Sequence, residues 1–372
     1  MGRSSHFTLT YRIKAESEHE AEQIAHHIRT EQTVEMPLPA VPKSAIHSIA
    51  ELTSIHPAEL KGFWMLTISY PTSIIDGDIT QLINVLFGNI SLLPGIKIVD
   101  ADNALFASYC PGPAFGVDGI RTLLGKKSGA ISCTALKPIG LTENELAERA
   151  FAFSKAGIDI IKDDHGLTNQ GKATFKSRVK ASVESIRNGE QYSGKKTLYF
   201  PNITSNPIHV EQKFREAIDL GADGVLLSPQ LTGLETLASL AKLEIAPIMA
   251  HPAFSGSYVI HETHGFTPEF YYGKLWRALG ADSIIYPNAG GRFGYSVDTC
   301  LSLNHQMKTG FCDFKTSLPT PAGGINLDSI PGLLSRYGSD IGYLVGGSLY
   351  NHKDGIEMAT VEFLKLLEGN GG

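Results

Sequence analysis

Residues 157–165 read GIDIIKDDH, a short apolar run that ends in Lys162, Asp163, Asp164 and His165. An apolar run of this length, placed after a helical segment and before a polar loop, predicts a parallel strand that is buried on both faces. Because side chains alternate along a strand, Lys162 and Asp164 should point to one side and Asp163 to the other. Most charged runs are solvated surface, but this one terminates a buried strand, and we interpret it as part of a functional site.

The same arrangement occurs eight times after residue 115: a short apolar run, a Gly, Pro, Asn or Asp, and a stretch of helical periodicity. Eight such units in about 250 residues are typical of an α/β protein with a (β/α)8 barrel, or TIM barrel. An open doubly wound sheet is the alternative, and the lack of a GxGxxG motif after the first strand counts against it. The eight predicted strands are Ile131–Lys137, Ile158–Lys162, Thr197–Asn202, Gly224–Ser228, Ala246–His251, Ser283–Tyr286, Leu318–Ala322 and Gly342–Val345.

The sequence before these units has a different pattern. Its strand-like and helical runs predict a small N-terminal α+β domain with a ferredoxin-like fold. The strand-like runs are Phe7–Lys14 and Phe63–Ser69, and the helical runs are Glu18–Thr30 and Asp78–Phe87.

A segment rich in Pro and Gly, residues 107–119, separates the two patterns. These residue types favour turns, so the segment is predicted to be an irregular crossing and not a helix. We therefore expect two domains, an α+β domain over residues 1–114 and a barrel domain over residues 115–372.

The composition is that of a globular protein with a sizeable core. The chain has 372 residues, of which 42% are hydrophobic and 19% are charged, and this balance excludes disordered and fibrous classes. Its net charge of −6, with no long basic run, predicts no nucleic-acid partner. No apolar stretch approaches the roughly 20 residues that cross a bilayer, so no membrane association is expected. The four cysteines lack CxxC spacing and are interpreted as reduced thiols of a cytoplasmic protein.

Barrel enzymes carry their chemistry at the carboxyl ends of the strands, and this rule selects candidate residues directly. Lysine and carboxylates at the second strand end are an oxygen-rich set that suits Mg²⁺. Glycine pairs after the seventh and eighth strands suit phosphate, although a plain turn is the alternative for each pair. The residues at the other strand ends are Lys137, Asn202, His251, Arg292, Gly323, Gly324, Gly346, Gly347 and Ser348. His251 is either a core histidine or a functional one.

An ordered set of short motifs extends over nearly the whole chain. It comprises Glu31, Tyr70-Pro71, Phe87-Gly88-Asn89, Pro111-Gly112-Pro113, Lys137-Pro138 followed by Gly140-Leu141, Gly157-Ile158-Asp159 before Lys162-Asp163-Asp164, Asn202-Ile203-Thr204, His251, Tyr286-Pro287, Arg292-Phe293, Gly323-Gly324 and Gly346-Gly347. This set resembles the large subunit of ribulose-bisphosphate carboxylase (RuBisCO). More closely, it resembles the RuBisCO-like proteins, which do not fix CO₂.

The resemblance implies a role for each matching residue. Lys162 would be carbamylated by CO₂ and become a Mg²⁺ ligand, with Asp164 as the second ligand. The third ligand of the family is a glutamate, and His165 stands in its place. Lys137 would be the base or acid, and its match to either of two family lysines stays open. The resemblance implies catalytic roles for Lys137, Lys162, His251, Arg292, Glu31 and Asn89. It implies substrate or phosphate binding by Asn202, Gly323, Gly324, Gly346, Gly347 and Ser348.

Four departures from the carboxylase pattern argue against carboxylation of ribulose bisphosphate. Pro252 replaces the arginine that holds a second phosphate, Ile285 falls near the position of a later histidine, and Ala322 replaces a serine. Arg292 stands where the carboxylase has its mobile-loop lysine. Only the phosphate site at the two glycine pairs is retained, so the resemblance implies a substrate with one phosphate.

The implied activity is Mg²⁺-assisted enolisation of a singly phosphorylated keto sugar or keto sugar acid. We favour decarboxylation or cleavage of a 3-oxo sugar-acid phosphate, because the enolase members usually keep the glutamate ligand and because Arg292 suits a substrate carboxylate. The alternatives are a methylthioribulose-phosphate isomerase or a diketo-methylthiopentyl-phosphate enolase of methionine salvage, and a non-catalytic sensor or scaffold. The resemblance also implies a homodimer in which Glu31 and Asn89 of one chain complete the barrel mouth of the other.

Overall fold

The computed structural model describes residues 5–369. Its strands are β1 (His6–Lys14), β2 (Glu51–Pro57), β3 (Phe63–Pro71), β4 (Ile96–Ala101), β5 (Ile131–Leu136), β6 (Ile160–Asp163), β7 (Leu198–Phe200), β8 (Val225–Leu227), β9 (Ile248–Ala250), β10 (Gly265–Phe266), β11 (Ser283–Pro287), β12 (Leu318–Ala322) and β13 (Gly342–Leu344). Within the same residues, no helix is long and apolar enough to cross a membrane.

The helices alternate with these strands. The α-helices are α1 (Glu18–Glu31), α2 (Ile79–Phe87), α3 (Asn103–Tyr109), α4 (Gly116–Leu124), α5 (Glu143–Lys155), α6 (Phe175–Ser193), α7 (Pro207–Asp219), α8 (Pro229–Thr232), α9 (Leu234–Ala241), α10 (Gly256–Val259), α11 (Val297–Lys308), α12 (Ile330–Tyr337), α13 (Gly347–Tyr350) and α14 (Gly355–Glu368). A π-helix lies at Glu269–Trp276, and 3₁₀-helices lie at Leu38–Ala40, Lys43–Ser48, Thr72–Ile74, Asn89–Leu92 and Leu327–Ser329.

The described chain forms two compact units. The first unit contains residues 5–111, 255–278 and 311–313, and the second contains residues 112–254, 279–310 and 314–369. These units describe compactness within the structure. The division into a domain over residues 1–114 and a domain over residues 115–372 stays a prediction.

The first unit is built on a five-stranded sheet in the order β10-β4-β1-β3-β2. Among β4, β1, β3 and β2, adjacent strands are antiparallel to one another, and this order of four strands is that of a ferredoxin-like fold. Alternate residues of β1, from Phe7 to Ile13, are buried, because one face of the sheet packs into the core. The short strand β10 adds to β4 in parallel at the edge. The predicted N-terminal α+β fold is therefore confirmed.

The second unit is a (β/α)8 barrel, as predicted. Two runs of parallel strands, β13-β5-β6-β7 and β12-β11-β9-β8, are hydrogen-bonded internally. A bridge between Asn202 and Leu226 connects β7 with β8. β12 and β13 lie side by side at Gly342, where a Cβ atom would lie only 2.9 Å from the Thr320 hydroxyl. The interior is filled by side chains from all eight strands, as in a packed barrel core.

Helix α4 closes the amino-terminal end of the barrel and corrects one expectation. Val117, Ile120 and Leu124 of this helix belong to the buried core inside the strands. The buried Asp282 carboxylate accepts hydrogen bonds from the N–H groups of Phe115 (2.7 Å) and Gly116 (2.6 Å), so it stabilises the start of the helix. The prediction of an irregular segment over residues 107–119 was therefore wrong at residues 107–109, which end α3, and again from residue 116 onward, where the cap comes from a residue distant in the sequence.

Candidate active site

The register of β5 and β6 brings a lysine and an aspartate together at the carboxyl end of the barrel. Ala135 of β5 pairs with Lys162 of β6, so the chain positions two residues further on are also neighbours. There, Lys137 Nζ lies 3.2 Å from Asp164 Oδ1. Both side chains are partly accessible, with exposed fractions of 33% and 27%. The ion pair can therefore be reached by a substrate in the barrel mouth.

Lys162 lies deeper in the same mouth and is only 2% exposed. Its Nζ donates a hydrogen bond to the carbonyl oxygen of Asp163 at 3.0 Å. Burial lowers the pKa of Lys162 to about 8, with Asp164 opposing the shift and Lys137 adding to it. A neutral amine is therefore accessible at this residue near neutral pH, as a reaction with CO₂ requires.

Asp163 points to the opposite side of the strand, into a buried network outside the barrel mouth. Its carboxylate accepts hydrogen bonds from Arg178 Nε (3.0 Å), the Tyr199 hydroxyl (2.8 Å) and the Asn202 N–H (3.0 Å). The buried Asn202 side chain donates to the carbonyl oxygen of His165 at 2.9 Å. The structure thus commits Asn202 to protein contacts, and its role in substrate binding stays a prediction.

His165 and His251 form a stacked pair at the mouth. Their ring centroids are 4.9 Å apart with an interplanar angle of 29°. The Ala253 N–H donates to His251 Nδ1 at 3.1 Å, so a neutral His251 carries its proton on Nε2. Burial, with the nearby Lys162, His165 and Lys137, holds the pKa of His251 well below its usual range. His251 is therefore a neutral hydrogen-bond donor at neutral pH.

The glycine pairs form backbone loops beside this cluster. A Cβ atom at Gly346 would lie 3.5 Å from Lys137 Cε, so the loop after β13 is close to the lysine side chain. Gly323 and Gly324 have φ values of +90° and +95°, a conformation that side chains rarely adopt. The Arg292 N–H donates to the Gly323 carbonyl at 3.2 Å, and this bond connects the loops after β11 and β12.

Three further candidate residues are Arg292 of the second unit and Glu31 and Asn89 of the first unit. Arg292 is exposed, and its guanidinium lies 5.5 Å from the ring centroid of the neighbouring Phe293. Glu31 and Asn89 belong to the first unit, where Asn89 Nδ2 donates to Glu31 Oε1 at 2.9 Å. These two side chains line one cavity of that unit together with Gln32 and other polar residues.

Comparison with known proteins assigns the chain to a family. The family model for the ribulose bisphosphate carboxylase large chain, catalytic domain, matches residues 116–363. The chain belongs to this family, and within it the chain is a RuBisCO-like protein. A 5-methylthioribulose-1-phosphate isomerase of Rhodospirillum rubrum is 36% identical over 97% of this chain and 96% of its own length.

Two further relatives support the same placement. A 2,3-diketo-5-methylthiopentyl-1-phosphate enolase of Bacillus licheniformis is 33% identical over 78% of this chain and 72% of its own length. The crystal structure of a RuBisCO-like protein from Rhodopseudomonas palustris is 31% identical, with a TM-score of 0.89 and 99% of each chain covered. The chain is therefore similar to enzymes of the RuBisCO-like class along its whole length.

The contacts of Lys162, Asp164 and His165 test whether this RuBisCO-like protein can hold Mg²⁺. Between residues 5 and 369, no three His, Cys, Asp or Glu side chains form a group that could hold a metal ion. Asp164 pairs with Lys137, and His165 stacks on another ring. A carbamate on Lys162 would add the missing carboxylate beside Asp164. The residue types therefore suit a divalent cation only if Lys162 is carbamylated, and His165 would offer a nitrogen atom, which Mg²⁺ prefers less than oxygen.

Sequence reasoning missed one residue that contacts the lysine cluster. The Tyr350 hydroxyl accepts a hydrogen bond from the Lys137 N–H at 3.1 Å and donates one to the Ala135 carbonyl at 2.8 Å. No signal in the sequence indicates this contact, because Tyr350 follows the eighth barrel strand and Lys137 ends the first.

Proposed function

We propose that this RuBisCO-like protein isomerises a singly phosphorylated ketose, with 5-methylthioribulose 1-phosphate as the first candidate substrate. One observation carries the proposal: Lys137 Nζ is 3.2 Å from Asp164, and the lysine side chain ends near Gly346. The Lys137 amine, which would transfer the proton, therefore lies near both a carboxylate and a glycine loop that suits phosphate. The name of the Rhodospirillum rubrum relative, which is 36% identical, supports this substrate.

The glycine pairs would bind the phosphate. Glycine at Gly346, Gly347, Gly323 and Gly324 leaves the backbone N–H groups unshielded, and Ser348 adds a hydroxyl after the second pair. Backbone N–H groups of such loops bind anions, and the absence of a Cβ atom lets the phosphate approach closely. A phosphate at these loops places the adjacent carbonyl group of the substrate toward Lys137.

Lys137 would take a proton from the carbon next to the carbonyl group and return it to the carbonyl carbon, while the hydroxyl proton on the first carbon passes to the carbonyl oxygen. Its amine must be within reach of both carbons, and its position in the barrel mouth provides this access. The Asp164 carboxylate, 3.2 Å from Nζ, would orient the amine through their ion pair. His251 would donate a hydrogen bond from Nε2 to the substrate oxygen on which negative charge develops, as a preorganised donor should.

A cation would be held by carbamylated Lys162, Asp164 and His165. When bound, Mg²⁺ supplies a positive charge that stabilises an enolate oxygen. The lowered pKa of Lys162, about 8, supports carbamate formation, because CO₂ reacts with the neutral amine and releases a proton. Lys162 and Asp164 lie on the same side of β6 and can bind one ion together.

The ranking of substrates changes from that given by the sequence. The prediction of a sugar-acid substrate relied partly on a bidentate contact between Arg292 and a substrate carboxylate. In the structure the Arg292 guanidinium instead lies over the Phe293 ring. The relatives described above carry the names of an isomerase and an enolase, which supports the methionine-salvage alternatives. Decarboxylation or cleavage of a 3-oxo sugar-acid phosphate stays a prediction without such support.

The direct test is turnover of a small panel of phosphorylated substrates. We expect the protein, with Mg²⁺ and bicarbonate, to isomerise 5-methylthioribulose 1-phosphate and to exchange solvent deuterium at the carbon that loses its proton, both followed by NMR. Dialysis against a chelator should abolish turnover, and added Mg²⁺ should restore it, because the cation stabilises the enolate.

The panel also includes 2,3-diketo-5-methylthiopentyl 1-phosphate and a 3-oxo sugar-acid phosphate. Turnover of the sugar acid alone would return that substrate to first place. Full activity after chelation would remove the cation from the proposal. Substrate binding without any turnover, unchanged in Lys162→Ala, would instead support the sensor or scaffold alternative.

We also propose a homodimer with shared active sites, in which the Glu31–Asn89 pair of one chain serves the barrel of the other. Lys137→Ala and Glu31→Gln should each inactivate the protein. Mixed dimers that contain one copy of each variant should have about half of wild-type activity, since each contains one intact site of two. The measurement is turnover of doubly tagged, purified mixed dimers; no recovery, or a monomeric mass in light scattering, would contradict shared sites.

A further inference from the structure

The end of β5 carries backbone groups that the barrel leaves without a strand partner. At Cys133 the ladder is regular, because the Val345 N–H donates to the Cys133 carbonyl at 3.0 Å. The partner strand β13 then stops, and the chain turns away at Gly346. In a parallel ladder, alternate residues face the same neighbour, so the Ala135 carbonyl and the Lys137 N–H face the side that β13 has left.

The Tyr350 hydroxyl satisfies both of these groups. It accepts from the Lys137 N–H at 3.1 Å and donates to the Ala135 carbonyl at 2.8 Å. The tyrosine ring is held by the edge of Phe153, with centroids 5.6 Å apart, and by the Arg149 guanidinium at 5.4 Å. One side chain therefore replaces the missing strand at the residue that carries the amine.

We propose that Tyr350 is a positioning residue, which fixes Lys137 relative to the glycine loop after β13. Tyr350 is the last residue of α13, and the same helix begins at Gly347. The segment 346–350 thus meets Lys137 at two points: Gly346 lies near the lysine side chain, and the Tyr350 hydroxyl accepts from the lysine backbone N–H. The distance from the amine to the loop is set by five consecutive residues. The catalytic part of this inference rests on the proposed function.

The test is Tyr350→Phe, which removes the hydroxyl and keeps the ring. We expect hydrogen exchange of the Lys137 amide to become at least about tenfold faster, because that amide loses its acceptor. The Asp164 amide, which donates to the Leu136 carbonyl on the other side of β5, should keep its rate. We expect kcat to fall by about 10- to 100-fold, since small displacements of a catalytic group have effects of this size. KM should change less than kcat, because the glycine backbone is unaltered.

Tyr343→Phe is the matched control. Tyr343 is buried in the same barrel, and its hydroxyl donates to the Gly338 carbonyl at 2.6 Å, away from Lys137. This variant should leave both kcat and the exchange of the Lys137 amide unchanged.

The two readouts separate the possible failures. Unchanged exchange of the Lys137 amide in Tyr350→Phe overturns the anchoring contact, whatever the substrate. Faster exchange with wild-type kcat overturns the positioning role and leaves the proposed function intact. A wild-type protein that turns over no substrate contradicts the proposed function, and the exchange experiment still decides whether Tyr350 anchors β5.

Discussion

Replacing Lys137 with methionine should lower kcat for 5-methylthioribulose 1-phosphate by about 10³-fold, within the range that general acid–base groups contribute. Methionine retains an unbranched side chain that can pack against the Gly346 loop, but it cannot carry a proton. KM should change by less than about threefold, because the loss falls on the transition state and the phosphate is bound elsewhere. Steady-state kinetics, together with the rate of deuterium exchange at the substrate, provide the measurement.

Lys155→Met is the control for this substitution. Lys155 has a similar exposed fraction, 34% against 33%, and it also forms an ion pair, with Glu357 at 2.9 Å. The pair joins α5 to α14 and lies outside the barrel mouth, so kcat should stay within about twofold of wild type, as a surface pair contributes little. If Lys137→Met instead kept more than a tenth of wild-type kcat, the proton carrier would have to be another group, and Lys162 would be next.

The barrel could be predicted because its strands are buried on both faces and are therefore continuous apolar runs. The predicted bounds of β12, Leu318–Ala322, are those of the structure. Other strands were predicted too long, such as Thr197–Asn202 for Leu198–Phe200, since the regular strand ends before Pro201, which has no N–H to donate to the ladder. Alternation also placed Lys162 and Asp164 on one side of β6, because it depends only on the geometry of a strand.

The remaining features depend on contacts between distant parts of the chain. All seven residues of β2, Glu51–Pro57, are exposed or half-exposed, so this edge strand lacks the alternation that identifies a strand in sequence. The segment 255–278 packs with the first unit although it follows the fifth barrel strand. The Tyr350 hydroxyl can bond to the Lys137 N–H only because β13 ends before β5 does. None of these relations has a local sequence signal.

The second large effect concerns stability, since Asp163 and Arg178 form an ion pair in which both side chains are fully buried. Asp163→Ala should lower the free energy of unfolding by about 3–5 kcal/mol, because it leaves the Arg178 guanidinium in the core without its carboxylate. The Tyr199 hydroxyl and the Asn202 N–H lose their acceptor in the same variant. Urea unfolding, followed by circular dichroism at constant protein concentration, measures the change.

Two variants decide whether burial of the charge is the cause. Glu211→Gln breaks the exposed pair with Arg215, in which both side chains are about half exposed, and should change stability by less than about 1 kcal/mol. Asp163→Leu combined with Arg178→Met should recover part of the loss, because it removes both buried charges together. If the double variant were as unstable as Asp163→Ala, the loss would come from the contacts to Tyr199 and Asn202 instead. Asp163 and Asp164 are adjacent in sequence, yet opposite faces of one strand assign the first to stability and the second to the candidate active site.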